Sequence, residues 1–243
     1  MEKIEDVSVE ACVASKFVQP YRVKYRQNGK VKLWDCVKSH DSVAILIYNK
    51  TRKAIVLVRQ FRPAVYMAKH SFLLKKSDVF TTSLSAKPSS GDHNSHPPAQ
   101  SGPETEALGS GAETEVLGSG ALGCTYEMCA GILDKATSIE QIAREEILEE
   151  TGYNVPLESI KPITCVLSSV GIAGSRMHIF YTEVTDEMLL SHGGGNECEG
   201  EMIEVVHLPL ERTTDFVLNA SEPRSTGLCF ALMWFEHYKK PYL

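Results

Sequence analysis

The sequence predicts an α+β fold with mixed sheets, preceded by an antiparallel β extension. Three observations carry this. Two hairpin-like stretches open the chain, one strongly signalled helix stands in the middle, and further strand-like runs lead to a closing helix.

In residues 19–38 apolar and polar side chains alternate around Asn28-Gly29, a dipeptide that accepts the positive φ angles of a tight hairpin turn. Residues 42–48 and 54–61, dense in Val, Ile and Leu around a polar turn at 49–53, read as a second, more deeply buried hairpin. Between about Thr81 and Gly123 the chain turns to Ser, Gly, Pro, Thr and Glu. A tandem repeat lies there, Glu104 to Ala112 and then Glu113 to Ala121, differing only at Ala107 and Val116. Two copies with almost no aliphatic residues cannot bury a solenoid core, so residues 81–123 are expected to be a disordered insertion. A short strand is expected from Thr125 and a loop at 131–137. A helix follows over 138–151: Ser138 and Gln141 have capping-box spacing, Ile139, Ile142, Ala143 and Ile147 recur at helical intervals, and Gly152 is a C-terminal stop. Strands are expected at 160–167, 177–184 and 202–208. A last helix over 225–239 carries Leu228, Ala231, Leu232 and Phe235 on one face. The domain expectation is a β extension at 1–40 and a main domain at 41–243, interrupted by the insertion.

Net charge −6, from 25 Lys+Arg against 31 Asp+Glu, argues against a nucleic-acid partner, which needs a basic face to neutralise phosphates. No apolar run reaches membrane-spanning length and the first ten residues are acidic, so a cytoplasmic protein without membrane association is expected. Seven cysteines without paired spacing suggest neither a disulfide framework nor a zinc ribbon, and buried or half-buried thiols are expected.

The chemistry concentrates in the middle helix. Glu146, Glu149 and Glu150 are spaced i, i+3, i+4 and share a face with no Lys or Arg at matching offsets. Such crowding disfavours the helix unless a hard divalent cation such as Mg²⁺ supplies positive charge, and that ion commonly bridges carboxylates to substrate phosphates. A solvated acidic face is the alternative from charge alone.

Residues 131–153, GILDKATSIEQIAREEILEETGY, resemble the Nudix box, G-x5-E-x7-R-E-U-x-E-E-x-G-U, with Gly131, the Glu146 to Glu150 core and Gly152 in register. The chain departs from that pattern at Thr137, where the box has Glu, and at Glu145, where it has Arg. Arg144 stands one place early, about 100° around the helix. In the family these two positions brace the loop against the helix, so the departures bear on loop rigidity more than on chemistry. VRQFRPA at 58–64, EMCAG at 127–131, EGEMIEV at 199–205, Trp34-Asp35 and residues 168–185 extend the resemblance to the ADP-ribose and nucleoside-diphosphate-sugar branch over nearly everything but the insertion.

The resemblance implies a Nudix fold, mixed sheets sandwiched by helices. It implies Mg²⁺, with Mn²⁺ as an alternative, on Glu146, Glu149, Glu150, Glu201 and the Ala130 carbonyl, and Glu199 as the group that activates water, with Glu149 also placed in the catalytic set. Arg62, Arg176 and Trp34 are the substrate-binding candidates. Gly193, Gly194 and Gly195 would either let the late loop close over substrate or form a plain flexible turn. The implied reaction is hydrolysis of UDP-glucose to UMP and glucose 1-phosphate. ADP-ribose hydrolysis, or an inactive nucleotide-sugar-binding module, is the alternative. A homodimer that shares its N-terminal strands is also implied.

Overall fold

The computed structural model describes residues 4, 6–15, 17–70 and 120–243. Strands Gln19–Gln27 (β1) and Lys30–Lys38 (β2) pair antiparallel as a sheet of their own. Asn28 and Gly29 make the turn with φ of 51° and 78°, the pair of positive angles expected of that dipeptide.

Among the described residues the main sheet has seven strands. Ser42–Asn49 (β3) and Ala54–Phe61 (β4) form the buried hairpin, followed in sequence by Cys124–Glu127 (β5), Cys129–Ile132 (β6), Lys161–Ser168 (β7), Ser175–Val184 (β8) and Ile203–Pro209 (β9). β3 and β8 run parallel and the other pairings are antiparallel, so the sheet is mixed. Beyond their turn β3 and β4 diverge. The chain rises along β4 as β5, turns at Met128 and descends along β3 as β6, which places Glu127 and Ala130 together inside the fork.

Helices cover both faces. Ile139–Glu146 (α2) buries Ile142 and Ala143, and the π turn Ile147–Thr151 that continues it buries Ile147, against Val43, Ile45, Ile47, Val56 and Phe180. On the other face Thr226–Tyr238 (α4) buries Leu228, Ala231, Leu232 and Phe235, the predicted stripe, against Leu46, Tyr48, Ile55 and Leu57. Among the described residues no helix is long and apolar enough to cross a membrane.

Several expectations need correction. Helices Pro63–Lys69 (α1) and Thr213–Leu218 (α3) were not foreseen; at seven and six residues they are too short for a periodic signal. The insertion ends earlier than Gly123: Gly120–Gly123 is a 3₁₀ turn whose Gly123 carbonyl accepts from Arg62 N–H at 2.9 Å. The insertion's residues 81–119, including all but the last two residues of the repeat, lie outside the described residues. Ser138 caps the Gln141 N–H, but the Gln141 side chain donates to Glu145 instead of closing a capping box. None of the seven cysteines is in a disulfide; Cys124 and Cys129 are buried and Cys36 and Cys229 half-buried, as expected, whereas Cys12, Cys165 and Cys198 are exposed, contrary to the expectation of buried or half-buried thiols.

Candidate active site

The acidic helix ends in a π turn, a widened turn often found at functional sites, instead of continuing as α-helix to Thr151. Its carboxylates meet the inner edge of β6. A Cβ built on Gly131 would stand 2.2 Å from the Glu146 carboxyl carbon and 2.2 Å from its Oε1, so that carboxyl occupies the space the glycine leaves. One residue earlier, the Ala130 N–H donates to Glu150 Oε2 at 2.9 Å. In a strand the N–H and C=O of one residue point to the same side, so the Ala130 carbonyl lies on this same edge.

Glu150 is only 2% exposed. Burial pushes its pKa up to about 8, against the acidifying hydrogen bonds from Ala130 N–H and the Cys129 thiol, with Glu146 and Glu201 adding to the rise. Cys129 is itself buried, and its thiol is held well above its ordinary pKa by burial and by Glu150. Sequence reading took it for a core thiol only.

The late loop is docked on the helix. Gly194 N–H donates to Glu150 O at 3.0 Å and Gly195 N–H to Glu149 O at 3.2 Å, satisfying carbonyls that the helix end leaves open. Gly193 has φ of 65°, and a Cβ there would stand 2.3 Å from Glu150 O. Gly193 therefore permits close backbone approach to the helix, while a Cβ on Gly195 would meet the Glu201 side chain at 2.8 Å. Gly152 ends the helix in the left-handed conformation at φ 78°, and a Cβ there would meet Ser191 O at 2.1 Å. Glu201 is drawn in by the Asn196 N–H, which donates to its Oε2 at 3.0 Å.

Arg62 makes a two-point pair with Glu127, Nε to Oε1 at 2.8 Å and Nη2 to Oε2 at 2.6 Å. Its pKa is raised first by that hydrogen-bonded partner, with Glu150 and Glu201 contributing, so Arg62 belongs to the carboxylate cluster. A cavity of about 570 Å³ opens beside it, lined among others by Arg59, Gln60, Glu197, Glu201, Met202 and Glu204.

The seats fit a divalent cation: an all-oxygen donor set suits a hard ion, and a buried carboxyl whose pKa is raised gains from nearby positive charge. Among the described residues no group of three or more His, Cys, Asp or Glu side chains is drawn together closely enough to hold a metal ion; Glu150 and Glu201 each accept from a backbone N–H instead.

No family model matches the chain. It is 40% identical over 236 residues to uridine diphosphate glucose pyrophosphatase NUDT14 of Bos taurus, covering 97% of this chain and 95% of that one. To the protein of the same name from Mus musculus it is 36% identical over 244 residues, covering 100% and 99%. The chain belongs to the Nudix hydrolase family. A GDP-mannose pyrophosphatase of Salmonella arizonae is 29% identical over 195 residues, 78% of this chain and 72% of that one.

Within this Nudix chain the structure gathers Ala130, Gly131, Glu146, Glu150, Glu201 and Arg62, with Glu149 on the same π turn. Glu199 sits in the 3₁₀ turn Glu197–Glu199; its side chain lies outside the described residues. Trp34 and Arg176 are engaged elsewhere. Trp34 is 53% exposed on the N-terminal hairpin and donates its indole N–H to Gly171 O at 2.8 Å, so it is not a core residue. Arg176 is exposed at the start of β8, where its backbone N–H donates to Asp41 Oδ1 at 2.7 Å. The Asp41 carbonyl in turn accepts from Leu133 N–H at 2.8 Å, tying that strand to the Nudix loop through a residue that sequence reading passed over.

Proposed function

We propose that the protein hydrolyses the pyrophosphate bond of a nucleoside diphosphate sugar, UDP-glucose to UMP and glucose 1-phosphate, with Mg²⁺ as the resident ion and Mn²⁺ as a substitute. The observation that carries this reading is the pair of seats on β6, Glu146 over Gly131 and Glu150 on the Ala130 N–H. The choice of sugar nucleotide rests on the near full-length similarity to the two uridine diphosphate glucose pyrophosphatases.

Glu146, Glu149 and Glu150, with Glu201 and the Ala130 carbonyl, would hold the ion. Bound there, a divalent cation neutralises pyrophosphate oxygens and acidifies a coordinated water. The chain's own residues do the rest. Arg62, aligned by Glu127, offers its remaining N–H groups to a phosphate. Glu199, in the loop docked on the helix, takes the proton of the attacking water. The water oxygen bonds to phosphorus while the bridging P–O bond breaks, and the bridging oxygen leaves with the other phosphate.

The hairpin β1–β2 is the proposed dimerisation element of an N-terminal region at 1–40. Tyr21, Val23, Leu33 and Trp34 are exposed on a two-stranded sheet, which is marginal alone and is stabilised by a covering partner. A second copy of the chain is that partner, and a monomer by sedimentation at working concentration contradicts it. The cytoplasm is the proposed location, since seven cysteines without a disulfide suit a reducing compartment.

Released monophosphate, measured with Mg²⁺ and a panel of UDP-glucose, ADP-ribose, ADP-glucose and GDP-mannose, tests the function. UDP-glucose is expected to give the highest kcat/KM. Preference for another member reassigns the substrate, and no release from any member leaves a binding module.

A further inference from the structure

The Nudix loop must place Gly131 under Glu146 to within a few tenths of an ångström, because the carboxyl already fills the space of the missing Cβ. The loop is tied at its start, where Leu133 N–H reaches Asp41 O, and at its end, where Ser138 caps α2. Between those ties, Lys135 Nζ lies 3.3 Å from Glu145 Oε2. Glu145 is held from its other side by Gln141 Nε2, which donates to Oε1 at 3.0 Å from one helical turn earlier. Lys135 to Glu145 is thus the side-chain link between loop and helix, Gln141 steadies Glu145 from within α2, and Glu145 is the immediate neighbour of Glu146.

We propose that Lys135 and Glu145 are a positioning pair, a latch that holds the loop against α2 and so keeps Glu146 seated on Gly131 for metal binding. The inference rests on the metal-site reading above. It assigns a role to Glu145, which departs from the box pattern, and to a lysine that the pattern leaves unspecified. The electrostatics agree: burial acts to lower the Lys135 pKa, but Glu145, followed by Glu146 and Glu149, outweighs it and raises it. The Gln141 hydrogen bond, and then Lys135, hold Glu145 below the usual carboxylate range.

A latch and simple charge balance predict opposite signs. Lys135→Met removes a cation beside a cation site, so charge alone tightens metal binding, whereas a lost latch weakens it. Mn²⁺ affinity of the full chain, measured by titration calorimetry without substrate, reads this directly. Lys135→Met and Glu145→Gln are each expected to bind Mn²⁺ about two- to five-fold more weakly, the range an exposed ion pair supports. The exchanged double variant Lys135→Glu/Glu145→Lys is expected to return to within about two-fold of wild type, with the melting temperature little changed in all three. Wild-type binding accompanied by equal or tighter binding in Lys135→Met, or no recovery in the exchanged variant, overturns the latch alone. No Mn²⁺ binding by the wild-type chain overturns the metal-site reading and the latch with it.

Discussion

The Glu146 carboxyl and the bare α-carbon of Gly131 share one space: a Cβ on Gly131 would stand 2.2 Å from Glu146 Oε1. Gly131→Ala must therefore push Glu146 off its seat. Because Gly131 lies in β6, where alanine fits the backbone, the fold is expected to survive while turnover falls by roughly 100-fold, the scale on which small misplacements cost catalysis. Activity within a few-fold of wild type contradicts the seat.

The late loop provides a second steric test. Gly193 combines a left-handed φ of 65° with a Cβ position 2.3 Å from Glu150 O. Gly193→Ala is expected to cost about 1–3 kcal/mol in urea unfolding and to lower activity, because the loop carrying Glu201 undocks from α2. A freely swinging loop would tolerate alanine, and unchanged stability would favour it.

Glu150 sets a pH dependence with a definite sign. Its pKa is about 8 in the fold, raised by burial, against 4.5 for the ordinary group, so between those values the folded state holds a proton that the unfolded chain has lost. Its contribution to stability is complete below about 4.5 and is lost as pH rises through about 8. Without divalent metal, melting temperature is expected to fall between about pH 5 and 8, by an amount on the order of a few kcal/mol in stability, and Glu150→Gln is expected to flatten that fall. Saturating Mn²⁺ should restore stability above pH 8, where no proton has to be displaced. Equal slopes in wild type and Glu150→Gln would remove Glu150 as the cause.

The two glutamates of the late loop separate by metal dependence. Glu201→Gln keeps an oxygen for the Asn196 N–H but loses charge, so a raised Mg²⁺ requirement, partly overcome by excess metal, is expected. Glu199→Gln removes a proton acceptor, and kcat is expected to fall roughly 10²–10⁴-fold with little change in KM or Mg²⁺ dependence. Near-normal kcat for Glu199→Gln would move the base elsewhere, to Glu149 or Glu197.

Much of this site was legible because its signals are local. The Asn28-Gly29 turn, the Ser138 cap, the α4 stripe and the spacing of Glu146, Glu149 and Glu150 are each written within a few residues. What escaped is non-local. Nothing in the order of residues says that β5 and β6 fork the sheet, that Asp41 reaches both Leu133 and Arg176, or that Arg62 is aligned by Glu127. The triple glycine was read as freedom because glycine permits it, yet here the missing Cβ of Gly193 allows close approach to Glu150 and that of Gly195 leaves room for Glu201. The π turn also escaped, since both helix types show the same apolar spacing over five residues.

The most direct test is UDP-glucose turnover by Glu150→Gln at saturating Mg²⁺, with UMP release measured beside the melting temperature. The buried carboxylate that would hold the ion is replaced by a neutral group of the same shape. Turnover is expected to drop by at least 100-fold, while the melting temperature measured at pH 8 without divalent metal stays equal or rises. Turnover within a few-fold of wild type would contradict the claim that this acidic helix is the metal site of a pyrophosphatase.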